Sequence, residues 1–407
     1  MMTLCKKLFI GLLLSSLLAG CATSGGTRNV KQQEVLQKVT AELPEQQLLD
    51  VWIELFQPGE LPKDKDEARG LSMEIREAEA RYMPVHLRSV VEKTGYWGAV
   101  RVVPQGTEGA EVLLSGIIKE SDGEEILLEI TVSDASGRQW FKRNYHGEVE
   151  AEAYSKLSGH SDGLEAVYNA IANDLAMYRN KLLENEIVAI RQIAEMRFAA
   201  DILADAFAGH LSKDDKDMYT LVRLPAEEDP AIQRVRVIRE RDYQLIDTLN
   251  GHYDNFYREM SDPYLEWRKA CSTEAEALRE VKRKANTQKA LGVAAILGAV
   301  LLGSVGDSNS SVSRGTMSDV LVIGGLYSIK RGIDINAQST IHQSAIEELG
   351  ESFSLEAKPL VVDVDGEIHE LTGSAEAQYE QWRDLMRKIY ASETGLDSIS
   401  IRSDIDH

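Results

Sequence analysis

Alternation with a period of two opens the foldable part of the chain. Val51, Ile53 and Leu55 alternate with Trp52 and Glu54, which predicts a strand stopping at Pro58-Gly59. The charged stretch from Pro62 to Arg69 leads into a helix. Pro84 is expected to divide that helix, leaving a second piece from Val85 to Lys93 that ends at Gly95. Ala99 to Val103 reads as the next strand, closed by Pro104. A meander follows. Val112, Leu114 and Ile118 share one face, and Ile126, Leu128, Ile130 and Val132 share a face of the next strand. Trp140 to Tyr145 completes it, with Asp122-Gly123 and Ser133 to Gly137 as turns. The expected order is β-α-β-β-β, in a small α/β domain over 47–182.

The period then changes to that of a helix. Leu164, Tyr168, Ile171, Leu175, Tyr178 and Leu182 alternate between four and three residues apart, with Asp162 and Glu165 as a capping pair. Leu183, Ile187, Ile190 and Ala194 continue the seam, so the helix is expected to run toward Ala208. A loop over 210–230 holds a short strand at Tyr219 to Leu224. A second long helix starts after Asp229-Pro230, with Ile246, Leu249, Tyr253, Phe256 and Met260 as its buried stripe. Asp262-Pro263 is expected to start a third, carrying Leu265, Leu278 and Val281. Residues 183–289 therefore read as a long-helix bundle or coiled-coil arm.

Residues 290–332 depart from this pattern. The run from Ala290 to Gly306 carries no charge. Ala290, Ala294 and Gly298 lie four apart, as do Ala295, Ala299 and Gly303, a spacing that lets helix backbones touch. A second apolar piece, Val320 to Ile329, contains Gly324-Gly325 and ends at Lys330-Arg331. Together they read as a glycine-rich helical hairpin. Its first arm would span roughly 25 Å, short of the ~30 Å hydrocarbon core. Burial in the protein's own core, self-association and bilayer insertion all remain open for it. Residues 333–407 read as a helix to Leu349 and a hairpin of Leu360–Val364 with Ile368–Leu371 across Asp365-Gly366. A helix with Tyr379, Trp382, Leu385, Met386 and Ile389 on one side follows, then a loose tail after Gly395. The fold class is α+β.

The start of the chain has a different logic. Lys6-Lys7, an apolar run from Leu8 to Leu18, and the small residues Ala19-Gly20 precede Cys21. That order of charge, apolar run and small residues marks a secretory signal over 1–20. Leu18-Ala19-Gly20-Cys21 resembles the lipobox of bacterial lipoproteins. The resemblance implies cleavage before Cys21, diacylglycerol on its sulfur and an acylated amino group, so the lipid on Cys21 would be the membrane contact. Ala22, where an Asp would imply inner-membrane retention, implies the outer membrane, facing the periplasm. Residues 21–46, polar and opening with Thr23-Ser24-Gly25-Gly26, read as a tether.

Charge narrows the partners. The net charge of −21 excludes a phosphate-binding footprint, so no nucleic acid is expected. Of three cysteines, Cys5 leaves with the signal and Cys21 is lipidated, which leaves Cys271 without an intramolecular disulfide partner. It reads as a partly buried, inert thiol.

Leu114-Ser115-Gly116, Val132-Ser133-Asp134-Ala135-Ser136-Gly137 and the helix after the sheet are similar to the small α/β domain of several envelope proteins. These are the curli-secretion channel lipoprotein, the lipoprotein activators of penicillin-binding proteins and the N-terminal domain of the Tol-system periplasmic protein. The likeness covers about a third of the chain and rests on turns and core positions. It implies a fold and, far more weakly, a role in an envelope complex.

Reactive chemistry is sparse. Gly159-His160-Ser161-Asp162-Gly163 matches G-x-S-x-G, but no apolar strand precedes it, so a loop capping a helix is the better reading. Asp363-Val364-Asp365-Gly366 lacks the later ligands of a calcium loop and reads as a turn. The eight His show no metal-binding spacing, and there is no Walker loop or G-x-G-x-x-G. No catalytic residue, cofactor or metal is therefore expected. The expected function is a non-catalytic, lipid-anchored periplasmic scaffold or binding component of an envelope complex, with a protein partner. A self-assembling outer-membrane channel or secretion component, a homo-oligomer built through the ladder, is one alternative. A regulator of a peptidoglycan synthase is another.

Overall fold

The computed structural model describes residues 26–31, 33–61, 63, 71–149, 164–301, 344, 348, 359–364 and 367–394. Among them are five helices and a six-stranded mixed sheet. The strands are β1 (Thr27–Asn29), β2 (Val51–Glu54), β3 (Val100–Val103), β4 (Val112–Ser121), β5 (Glu125–Asp134) and β6 (Gln139–Glu148). The helices are α1 (Met73–Glu92), α2 (Glu165–Arg179), α3 (Glu184–Ile202), α4 (Pro230–Leu301) and α5 (Ala375–Thr394). Strand order is β1-β6-β5-β4-β2-β3. The meander β4-β5-β6 is antiparallel, while β2 pairs in parallel with both β3 and β4. From β2 onward the order is β-α-β-β-β-β. The expected order was one strand short, because the crossover strand and the whole meander all join one sheet.

Strand β2 is buried along Val51, Trp52 and Ile53, not alternately. The reason is its place between two apolar layers. Val51 and Ile53 face a core with α1 and α2, and Trp52 faces a second core with α3, α4 and α5. The long-helix region is accordingly packed on the α/β domain. Helix α4 puts Ile232 to Tyr253 into the second core and Phe256 to Trp267 into the first. It crosses from one layer to the other at Asn250, beside edge strand β3. There the Asn250 side-chain amide takes Val102 N–H at 2.8 Å and gives its own N–H to Val102 O at 2.8 Å. One side chain thus completes the ladder of an edge strand.

Both expected proline breaks are absent. Helix α1 runs through Pro84 and α4, 72 residues long, runs through Pro263. A helical proline frees the carbonyl four residues earlier. Phe56 N–H takes the Ala80 carbonyl at 2.9 Å, so the α1 vacancy is filled by the end of β2. In α4 the freed carbonyl belongs to Glu259, on the solvent face. Conversely, the helix expected to run from 162 toward 208 breaks at 180–183. Leu183 is 65 % exposed, and its N–H goes to the Glu186 carboxylate at 2.8 Å, which starts a new helix. The short strand at Tyr219–Leu221 pairs with Leu211–Lys213.

The expected tether is also corrected over 26–46. Strand β1 pairs in parallel with β6, and Val30 and Leu36 pack on the core. Arg28 reaches Asp174 at 2.6 Å, and Asn173 takes Gln37 N–H at 2.8 Å. Val39 N–H goes to Thr94 O at 2.8 Å. The hairpin appears as Leu360–Val364 with Glu367–Leu371, and α5 buries Tyr379, Trp382 and Met386. Cys271 is buried. Among the described residues, no helix is long and apolar enough to cross a membrane.

Candidate functional site

In sheets with parallel strands, ligands tend to sit beyond the carboxyl ends where the strand connections diverge. Here β2 is that point, with β3 on one side and β4 on the other. A cleft of about 580 Å³ lies at the carboxyl ends of β2 and β3. Leu55, Phe56 and Pro58 form its floor, Pro104 to Glu108 one rim, Glu77 and Arg81 of α1 one wall, and α5 the other. Local sequence explains this shape. Gly59 has φ +68°, and a Cβ there would lie 2.0 Å from Ile118 O, so only glycine ends β2 this way. Gly106, with φ +75°, sends its N–H to Glu54 at 2.9 Å, and Gln105 donates to Leu55 O at 2.9 Å.

Helix α5 is fixed by buried charge. Asp242 of α4 is 1 % exposed and accepts from Trp382 Nε1 at 3.2 Å and from the Tyr379 hydroxyl at 3.5 Å. Burial pushes the Asp242 carboxyl up, against the pull of Arg383, whose Nη1 lies 3.6 Å away. Burial likewise opposes the Arg383 charge, yet Asp242, Tyr379 and Asp201 together hold it above its ordinary value. Arg383 also donates to Asp201, and Arg387 reaches Asp201 at 3.1 Å and Asp384 at 3.0 Å. These cations are therefore committed to their neighbours. Arg81 is less so: its Nε is 4.0 Å from Glu376 Oε1, a buried oxygen with no hydrogen-bond partner. The cleft lining contains no Cys, His, Ser or Lys.

A smaller hollow of about 300 Å³ shares Gly106 to Glu108 with this cleft. Burial raises the Glu54 carboxyl there, with Gly106 N–H opposing and Glu108 adding to the rise. Glu125, His146 and Glu148 are the one group of metal-ligand type among the described residues. They are half-exposed or exposed. His146 Nε2 stands 3.3 Å from Glu125 and 4.0 Å from Glu148, so the imidazole itself bridges two glutamates paired across the strands.

No family model, curated protein or solved structure matches this chain. The site is therefore read from its own residues.

The residues singled out from the sequence do not meet in the cleft. Ala290, Ala294, Ala295, Gly298 and Ala299 lie in the last turns of α4. Cys21, Ser161, Gly303, Gly324 and Gly325 lie outside the described residues, as do Asp365-Gly366 and the turn of the hairpin over 290–332. Sequence reasoning missed the cleft. Two signals pointed to it. One is the parallel β-α-β unit, and the other is the row Glu376, Glu380, Asp384, one turn apart on a helix whose other side is apolar.

Proposed function

We propose that this chain is a lipid-anchored periplasmic binding component of an envelope complex, and not an enzyme. The observation that carries the reading is the lipobox-like Leu18-Ala19-Gly20-Cys21, with folded structure beginning at Thr27. Six residues of extended chain reach about 20 Å, so a lipid on Cys21 would hold the domain against the membrane surface. A short tether suits a protein that works at that surface. A cleft without a nucleophile or general base, walled by charged side chains, suits binding. The likeness of Leu114-Ser115-Gly116 and Val132 to Gly137 to envelope lipoproteins agrees with that role.

A second reading, self-assembly into a channel or secretion component, is favoured by one observation. Helix α4 continues unbroken from the folded body through Ala290–Ala299, so the small-residue ladder is carried on a helix. One experiment separates the two. Export of the Cys21→Ser chain, followed by fractionation and sizing, is expected to give a soluble periplasmic monomer. Retention in the membrane fraction, or a large detergent-resistant oligomer, would move the assembly reading to first place.

A further inference from the structure

The cleft at the ends of β2 and β3 is unevenly charged. Its lining holds six carboxylates and three guanidinium groups. Glu108 pairs with Arg197, Asp201 with Arg383 and Arg387, and Asp384 with Arg387. What remains is Glu77 and Arg81, one turn apart on α1, facing Glu376 and Glu380, one turn apart on α5. Three carboxylates thus share one guanidinium, and that guanidinium stands off at 4.0 Å from the nearest. Glu77 and Glu380 are exposed and have no basic partner among the described residues, while Glu376 Oε1 is shielded from water without a donor. A shielded carboxylate oxygen without a donor is costly until something donates to it. Beneath this charge lie the apolar surfaces of Phe56 and Tyr379. The volume, about 580 Å³, is of the size that holds ligands of several residues or one small molecule.

We infer that the cleft binds a cationic side chain, lysine or arginine, presented on an extended segment of a partner protein, with an adjacent apolar residue resting on Phe56 and Tyr379. The occupant's charge answers the surplus of Glu77, Glu376 and Glu380, and its N–H groups supply the donor that Glu376 lacks. The choice of a protein segment over a free small cation rests on the reading of this chain as a binding component. The cationic preference rests on the cleft alone.

The test uses the full-length Cys21→Ser chain and two labelled tetrapeptides, Ala-Arg-Ala-Phe and Ala-Glu-Ala-Phe, both amidated and acetylated, read by fluorescence anisotropy. The arginine peptide is expected to bind, the glutamate peptide not. The double variant Glu77→Gln, Glu380→Gln is expected to weaken binding about tenfold. Glu240→Gln, an exposed carboxylate elsewhere, should leave it unchanged. Glu77→Lys with Glu380→Lys is expected to reverse the preference. Melting curves of every variant guard against unfolding. Equal binding of the two peptides, or equal weakening by Glu240→Gln, would overturn the inference, because general attraction to an acidic protein would then suffice. Displacement of the peptide by spermidine at equal concentration would overturn the choice of a protein segment. Anchoring is read separately by fractionation, so failure of either test leaves the other standing.

Discussion

The sheet has two edges, and they are closed in opposite ways. At β3 a single residue does it: Asn250 on a long helix matches the N–H and C=O of Val102 and also accepts from Arg88 at 2.7 Å. At β6 the closing element is the chain's own start, a three-residue strand. It is held from the side by Asp174, which takes Arg28, Arg143 and the Tyr145 hydroxyl. The first closure concentrates its energy in one amide. The second spreads it over a strap of many weak contacts. A concentrated closure fails all at once when its residue is lost, whereas a distributed one loosens locally.

That contrast can be broken by substitution. Asn250→Leu keeps the bulk of the side chain but strands Val102 N–H, Val102 O and an Arg88 donor, so a loss of about 4 kcal/mol in urea unfolding is expected. A loss under about 1 kcal/mol would show that the edge finds another partner. Asp174→Ala comes next, at about 3 kcal/mol, because it leaves a buried cluster without its acid. Arg28→Ala is smaller, about 1 kcal/mol, and its sharper readout is faster proteolytic cutting between residues 30 and 46. Unchanged cutting would mean that the strap is held by its backbone pairing alone. The smallest effect is on pH. His86 donates to or accepts from Glu165 at 2.9 Å and Tyr257 at 2.7 Å, and this contact is the main reason the Glu165 carboxyl is lowered, against burial. A lowered carboxylate stabilises above its unfolded value and loses that contribution as pH falls through its folded value. The urea midpoint of the native chain should therefore drop more between pH 6 and pH 3 than that of Glu165→Gln. Equal drops would remove Glu165 from the acid response.

Much of the interior was legible because apolar spacing reports it directly. Leu164, Tyr168, Ile171 and Leu175 are all buried, as are Ile246, Leu249, Tyr253, Phe256 and Met260. The misreadings share a cause. Pro84, Pro263 and the segment over 26–46 were judged on local grounds, and in each the outcome depends on a partner distant in sequence or on solvent. Phe56 rescues the Ala80 carbonyl, and Asp174 and Asn173 dock the strap. Trp52 looked like a solvent-side residue because alternation assumes a sheet covered on one face. The cleft was illegible for the same reason, since its walls come from residues about 300 apart in sequence, Glu77 and Glu376.

The proline of α1 has one more consequence. Hydrogen bonds are usually counted where they are made, but here the informative event is a donor left out. By lacking an N–H, Pro84 leaves a single acceptor open on a helix whose other carbonyls are occupied, and the strand end at Phe56 docks at that address. Alanine at 84 would return the helix its own donor and make the two claims compete. Phe56 is also the floor of the cleft, so its depth is set by subtraction: one atom missing from a helix fixes where a binding surface stands.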